Sequence, residues 1–326
     1  MNDRLSLEKP GLSHGKEDPS PLLPSEVSRN LLVELLKGSA FEIFPLPGVE
    51  GHLDSLPEGT HVTITCSPTQ GIAETLSLTE KLRSGGLRVV PHISARLVRD
   101  DAHLQALIER LAELEVAHLF VIGGDVTQPA GKFPSTLSLL RALADKGHPF
   151  ESIGVAGYPE GHPFLDDDSL NEALKAKEPF ANYLVTQMCF DPGAIISWVE
   201  AIRRQGIRLP VYIGLPGAVL ARRLLRFSLK IGVGDSARFL TKHSNLVMRL
   251  AKSSYRPDDL VMGLAHRLGE SALKIEGFHL YTFNAVTDTE AWRDQLVHKL
   301  ENNEAAAPQP ERLNPLDQGG HHADPV

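Results

Sequence analysis

The chain has 326 residues, 42% of them hydrophobic and 23% charged, and its 33 basic and 41 acidic side chains leave a net charge of −8. That is ordinary globular composition with enough length for a sizeable core, and the acidic balance argues against a protein that tracks nucleic-acid phosphates. The two cysteines, Cys66 and Cys189, sit far apart in apolar runs, with no apolar leader and no run long enough to span a bilayer, so the reading is a cytoplasmic protein without disulfides, membrane partner or nucleic-acid partner.

In chain order, residues 1–24 are rich in Pro, Ser and charge and read as a disordered tail; a helix is expected over 26–37. The stretch "SAFEIFPLPG" then gives a first strand over 40–45. It places Glu42 between Phe41 and Ile43, where a buried, unpaired carboxylate is costly and escapes by taking up a proton. Further strands are expected at 61–66, 87–93, 118–123, 152–157, 183–188, 210–214 and 278–283. Helical patterns separate them. Leu104, Leu107, Ile108, Leu111 and Leu114 follow the i, i+3, i+4, i+7 rule. Asp191-Pro192 opens another helix, with Ile195, Ile196, Val199 and Ile202 on its apolar face and Gly206 at its end. Helices are also expected at 70–84, 135–147, 169–178, 216–230, 235–253, 257–270 and 288–302. Residues 303–326 read as a second disordered tail; its His321–His322 pair lacks the ligand count of a metal site.

Eight strands alternating with helices imply parallel β-α units, in an open doubly wound sheet or a closed barrel. The turn after the first strand, "PLPGVEG", lacks the GxGxxG of a dinucleotide-binding open sheet. The expectation is therefore a (β/α)8 TIM barrel, one domain over 25–302, with extra helices between strands seven and eight.

In such barrels the chemistry lies at the carboxyl ends of the strands. Standing there are Glu42, Thr65, Cys66, His92, Gly124 and Asp125 in "IGGDVTQPAG", then Tyr158, Glu160 and His162 in "GYPEGHP", then Gln187, Tyr281 and Asn284. This ring of hydrogen-bonding groups, with few carboxylates and no metal-ligand set, suits a flat, heteroatom-rich ligand. The residues alone leave plainer roles open. Glu42 could point into the helix layer and pair with a cation; Asp125 could be a turn residue; His92 could be a satisfied core histidine. Tyr158 and His162 could order a Pro-rich loop, Gln187 could serve a buried structural network, and Asp191 reads as a helix cap. Both cysteines read as small core residues.

The motifs "FEIFP", "PHI", "GGD", "YPEGHP", "VTQMCFD" and "FHLYTFN" stand in the order and at roughly the spacing found in the methylenetetrahydrofolate reductases, which this chain resembles over residues 38–285. The resemblance implies a (β/α)8 barrel holding FAD, reduced by NAD(P)H, that converts 5,10-methylenetetrahydrofolate to 5-methyltetrahydrofolate. It implies Glu42 as the catalytic acid and Asp125 as the carboxylate on the pterin near the flavin. Gln187 is implied as the amide reading the pterin, and Tyr281 as a substrate neighbour. Thr65, His92, Gly124, Tyr158 and His162 would touch FAD, and Lys177 its phosphates. Where the family carries arginines, this chain has Gly123, Ala285 and a replacement around Pro47. A member without flavin would pass hydride directly from NAD(P)H.

Two other functions stay open. One is a folate-binding barrel without redox activity, a carrier or regulator. The other is an unrelated barrel enzyme using "GLPGAV", 214–219, as a phosphate loop. The acidic surface leaves room for a homo-oligomer.

Overall fold

The structure, a computed structural model, describes residues 24–162, 165–220, 223–224 and 254–303. The strands are β1 (Ala40–Ile43), β2 (His61–Ile64), β3 (Arg88–Ser94), β4 (His118–Ile122), β5 (Ser152–Gly157), β6 (Tyr183–Thr186) and β7 (Val211–Pro216), then the short β8 (Val219–Leu220) and β9 (Ser254–Tyr255), then β10 (Ile275–Tyr281). Eight of them close into a parallel barrel in the order β1-β10-β7-β6-β5-β4-β3-β2, while β8 and β9 form a separate antiparallel pair. The described helices are α1 (Glu26–Lys37), α2 (Gly71–Ser84), α3 (Asp101–Glu113), α4 (Thr136–Lys146), α5 (Asp167–Lys177), α6 (Pro192–Arg204), α7 (Asp258–Leu264) and α8 (Val286–Glu301). This is the (β/α)8 barrel that the alternation of elements implies.

Local chemistry explains the boundaries. Ser25 caps α1 by accepting the Ser28 N–H at 3.2 Å, and Ser135 and Ser138 cap α4 reciprocally. Asp191 accepts the Gly193 N–H at 2.7 Å, Pro192 fills the first turn of α6, and Ile195, Ile196, Val199 and Ile202 are buried as their spacing requires. On β1 the alternation is strict. Phe41 and Ile43 are wholly buried against the helix layer, and the Arg293 guanidinium lies 5.0 Å from the Phe41 ring. Glu42, between them, therefore faces the barrel interior.

Rings set against glycines fill that interior. A Cβ on Gly154 would lie 2.3 Å from Tyr183 Cζ, and one on Gly277 would lie 2.7 Å from the Tyr212 ring. Tyr183 and Tyr212 meet edge to face at 5.4 Å, and His92 lies 4.7 Å from Phe120 above them. Each glycine is the space its tyrosine occupies. Gly154→Ala is expected to cost about 1–3 kcal/mol through overpacking, read as a lower midpoint in denaturant unfolding; an unchanged midpoint would mean that the interior yields freely.

Some expectations need correction. The helix over 216–230 does not start there, because β7 runs through Pro216 and Val219–Leu220 pair with Ser254–Tyr255. Its remainder, apart from 223–224, the helix at 235–253 and nearly all of both tails lie outside the described residues. The helix at 257–270 is a shorter α7. The last strand begins at Ile275 rather than 278 and ends at Tyr281. The "GLPGAV" phosphate loop is not formed: Gly214–Pro216 belong to β7, and the Gly217 N–H donates to Tyr281 O at 3.0 Å. Both cysteines are buried, as expected of core residues.

Candidate active site

Glu42 is the only carboxylate on β1, and the barrel gives it a partner. Its Oε2 lies 2.9 Å from His279 Nε2 and 3.9 Å from His92 Nε2. The first is a hydrogen bond and the second is too long to be one. His279 was not among the residues singled out from sequence. The signal was there in "FHLY": period two puts His279 on the same face of β10 as Tyr281, and register pairs Tyr281 with Glu42. The unpaired carboxylate that the β1 sequence suggests is thus paired by a residue 237 positions away.

The neighbours hold this pair in place. Thr282 Oγ1 donates to Glu42 O at 2.6 Å. Asn284 braces Phe44, two residues after Glu42, twice: Phe44 N donates to its Oδ1 at 2.8 Å, and its Nδ2 donates to Phe44 O at 3.1 Å. His92 is buried and its Nε2 has no hydrogen-bond partner. Burial pushes its imidazole down to about 4, against the pull of the Glu42 carboxylate, so it is neutral near pH 7.

Tyr281 closes the floor of the mouth. Its hydroxyl donates to Thr186 O at 2.9 Å, crossing above Gly214, where a Cβ would come within 2.6 Å of the ring. Burial holds this phenol well above the usual range, reinforced by the charges of Glu42 and Tyr158. Tyr158 is pushed up by burial and by Asp125, and it meets His162 edge-on at 5.2 Å. Burial lowers His162 against the opposing pull of Asp125. Glu42 and Tyr158 therefore lie within electrostatic reach of Tyr281, and Asp125 within reach of Tyr158 and His162. Asp125 itself is exposed, on the loop after β4.

Three further expected residues stand at the strand tips. Gly124 has φ +94°, and a Cβ there would overlap Ser94 Oγ at 1.9 Å, so only glycine fits beside the end of β3. Thr65, at the tip of β2, has a buried Oγ1 without a partner. Gln187 uses its Oε1 to accept the Met188 N–H at 2.9 Å. Lys177 is not brought to this ring. It ends α5 next to Glu178, whose carboxylate accepts the Arg208 N–H at 2.6 Å before β7 begins, so its backbone sits at the foot of the wall. It is buried, and burial lowers its ammonium to about 8.

Thr65 Oγ1 and His92 Nε2 are buried polar atoms in want of partners, which suits a flat heterocycle over the barrel. The diphosphate of FAD is less well served. The guanidinium beside the β4 loop belongs to Arg96, which spends Nε on Pro134 O and Nη1 on Val126 O, both at 2.9 Å. Lys132, farther along that loop, is paired with Asp101, and Lys177 is at the foot. The residues described do not fit the FAD diphosphate, and no step below runs through flavin.

Comparison with known proteins agrees with the strand-tip motifs. The sequence profile described as "Methylenetetrahydrofolate reductase" matches residues 53–296. Methylenetetrahydrofolate reductase 2 of Saccharomyces cerevisiae is 32% identical over 168 residues, 48% of this chain and 27% of that protein. Methylenetetrahydrofolate reductase 1 of Schizosaccharomyces pombe is 30% identical over 122 residues, 34% of this chain and 20% of that protein. Methylenetetrahydrofolate reductase (NADH) 1 of Arabidopsis thaliana is 28% identical over 166 residues, covering 48% and 24%. The matches thus span about a quarter of these relatives' lengths. In structure, the chain is similar to an uncharacterized protein from Clostridium thermocellum that binds two copies of 5-methyl-5,6,7,8-tetrahydrofolic acid. The TM-score is 0.56 and the identity 12%, over 84% of this chain and 99% of that one, a likeness of fold. With its profile match running through most of the barrel, this chain belongs to the methylenetetrahydrofolate reductase family.

Proposed function

We propose that the protein interconverts 5,10-methylenetetrahydrofolate and 5-methyltetrahydrofolate, with NADH or NADPH as the hydride source. The observation that carries this reading is the Glu42–His279 hydrogen bond at the barrel mouth. A hydrogen bond between a carboxyl oxygen and a ring nitrogen holds a proton where a bound pterin would need one.

The chemistry follows from the substrate. The methylene carbon bridges N5 and N10. Glu42 delivers a proton to N10, the N10–CH2 bond breaks, and its electron pair stays on N10. The N5 iminium that remains accepts hydride from the nicotinamide and becomes the N5 methyl group. His279 then returns a proton to Glu42 or shares the one it holds. Asp125, exposed on the loop after β4, accepts hydrogen bonds from the pterin N–H groups and stabilises the cation. Two carboxyl groups in different surroundings thus take different roles. Gln187 supplies an amide to the pterin edge. Hydride transfer is the cofactor's chemistry, and the barrel's part is to orient the rings and exclude water.

A second reading, a folate binder without redox activity, draws on the Clostridium thermocellum protein. A binder has no use for a proton held on Glu42 and His279. The test is a purified preparation supplied with methylenetetrahydrofolate and NAD(P)H. The expected result is 5-methyltetrahydrofolate formed by protein lacking the visible absorption of a flavin. Binding of folate with no turnover, with or without added FAD, would favour the carrier.

A further inference from the structure

We propose that Arg223 is the residue that receives the glutamate carboxylates of the substrate and makes the enzyme prefer glutamated folates. The inference rests on the folate reading above and adds a specificity residue to it. The strand order places β10 directly across the barrel from β4, with three strands between them on either side. Asp125 marks the β4 side of the mouth. On the opposite side the chain leaves β10 through Phe283 and Asn284, both in left-handed backbone with φ of 50° and 62°. Asn284 ties this turn to Phe44, two residues from Glu42.

Arg223, three residues beyond β8, reaches the same turn. Its Nη1 donates to Phe283 O at 3.3 Å, and the residue is half-buried. That bond uses one of the five guanidinium N–H groups, and no carboxylate among the described residues pairs with it. The residue it bonds, Phe283, and its chain neighbour Leu224 belong to an apolar cluster. Val219, Leu224, Met188 and Phe283 form a buried cluster, flanked by the half-buried Phe44, Phe190 and Tyr255. Phe44 and Phe283 stack at 6.5 Å, and Phe190 meets Tyr255 at 5.7 Å. A cation set on such a wall gains most from an anion that arrives with a ligand.

The proposed substrate has matching chemistry. Its pterin end needs Asp125 and Gln187, and its other end is an aminobenzoyl ring followed by carboxylates. A pterin read from the β4 and β6 sides sends that tail toward the β10 side. There the aromatic wall can cover the benzoyl ring and Arg223 can take a carboxylate with two parallel N–H donors.

The experiment compares methylenetetrahydrofolate with methylenetetrahydropteroate, which lacks the glutamate, in wild type, Arg223→Ala and Arg223→Lys. Arg223→Ala is expected to raise KM for the glutamated substrate by about 10- to 100-fold, the loss of a charge-assisted pair. Its kcat should hold, and its kinetics with the pteroate should match those of wild type. Arg223→Lys, which keeps the charge, should recover part of the loss. Equal KM in wild type and Arg223→Ala would overturn the proposal, as would equal losses on both substrates. Calorimetry with 5-methyltetrahydrofolate separates the two levels of the argument. A wild type that binds no folate removes the proposed function and this role with it; a wild type that binds, with Arg223→Ala binding equally well, removes only this role.

Discussion

Glu42→Gln is expected to lower turnover of methylenetetrahydrofolate by about 10²- to 10⁴-fold, the range over which a positioned general acid contributes. Glutamine keeps the length of the side chain and can still hydrogen-bond His279, so the barrel floor should stay in place. It cannot deliver a proton to N10. Binding of 5-methyltetrahydrofolate should therefore be nearly unchanged, and the fall should appear in kcat. Stopped assays at saturating substrate, beside calorimetric titration, distinguish lost chemistry from lost binding. A variant as active as wild type would remove Glu42 from the mechanism.

The second large effect is on stability and comes from His92. Its folded-state value of about 4 lies below the ordinary 6.5 because the ring is buried. Between those two values the unfolded chain binds a proton that the folded chain refuses, so stability must fall as the pH drops through that window. His92's contribution is fully present above pH 6.5 and is lost progressively toward pH 4, about 3 kcal/mol in all. His92→Gln carries no titrating ring. Its unfolding free energy, measured in denaturant at several pH values, should decline less steeply than that of wild type across this window. Parallel declines would show that His92 is solvated or paired when protonated.

Much of this architecture was legible in the sequence because it depends on local patterns. The apolar face of α6 and its Asp-Pro start are adjacent features, and alternation on β1 fixed which way Glu42 points once its neighbours were buried. What the pattern missed depends on distant partners. "AVLARRLLRF" reads as helical, yet Val219–Leu220 become a strand because Tyr255 and Ser254 come back to pair with them. Gly277 interrupts the β pattern of "IEGFHLY", and its reason, the Tyr212 ring, is visible only across the barrel.

The site shows the same division. Glu42, Asp125 and Gln187, on which the proposed reaction draws, stand in strand-end motifs of the sequence. His279 was not singled out, since an isolated histidine two residues before a tyrosine says nothing until register sets it beside Glu42. Lys177 matches a phosphate-contacting lysine by motif, but the length of α5 carries its backbone to the foot of the wall.

Following the transferred hydrogen tests the reaction most directly. The protein is given 5,10-methylenetetrahydrofolate and a nicotinamide cofactor carrying deuterium at both C4 positions, and the product is weighed by mass spectrometry. Direct transfer onto an iminium opened by the Glu42 proton predicts 5-methyltetrahydrofolate with a single deuterium in its methyl group. No methyl product, or a methyl group free of deuterium, would contradict it.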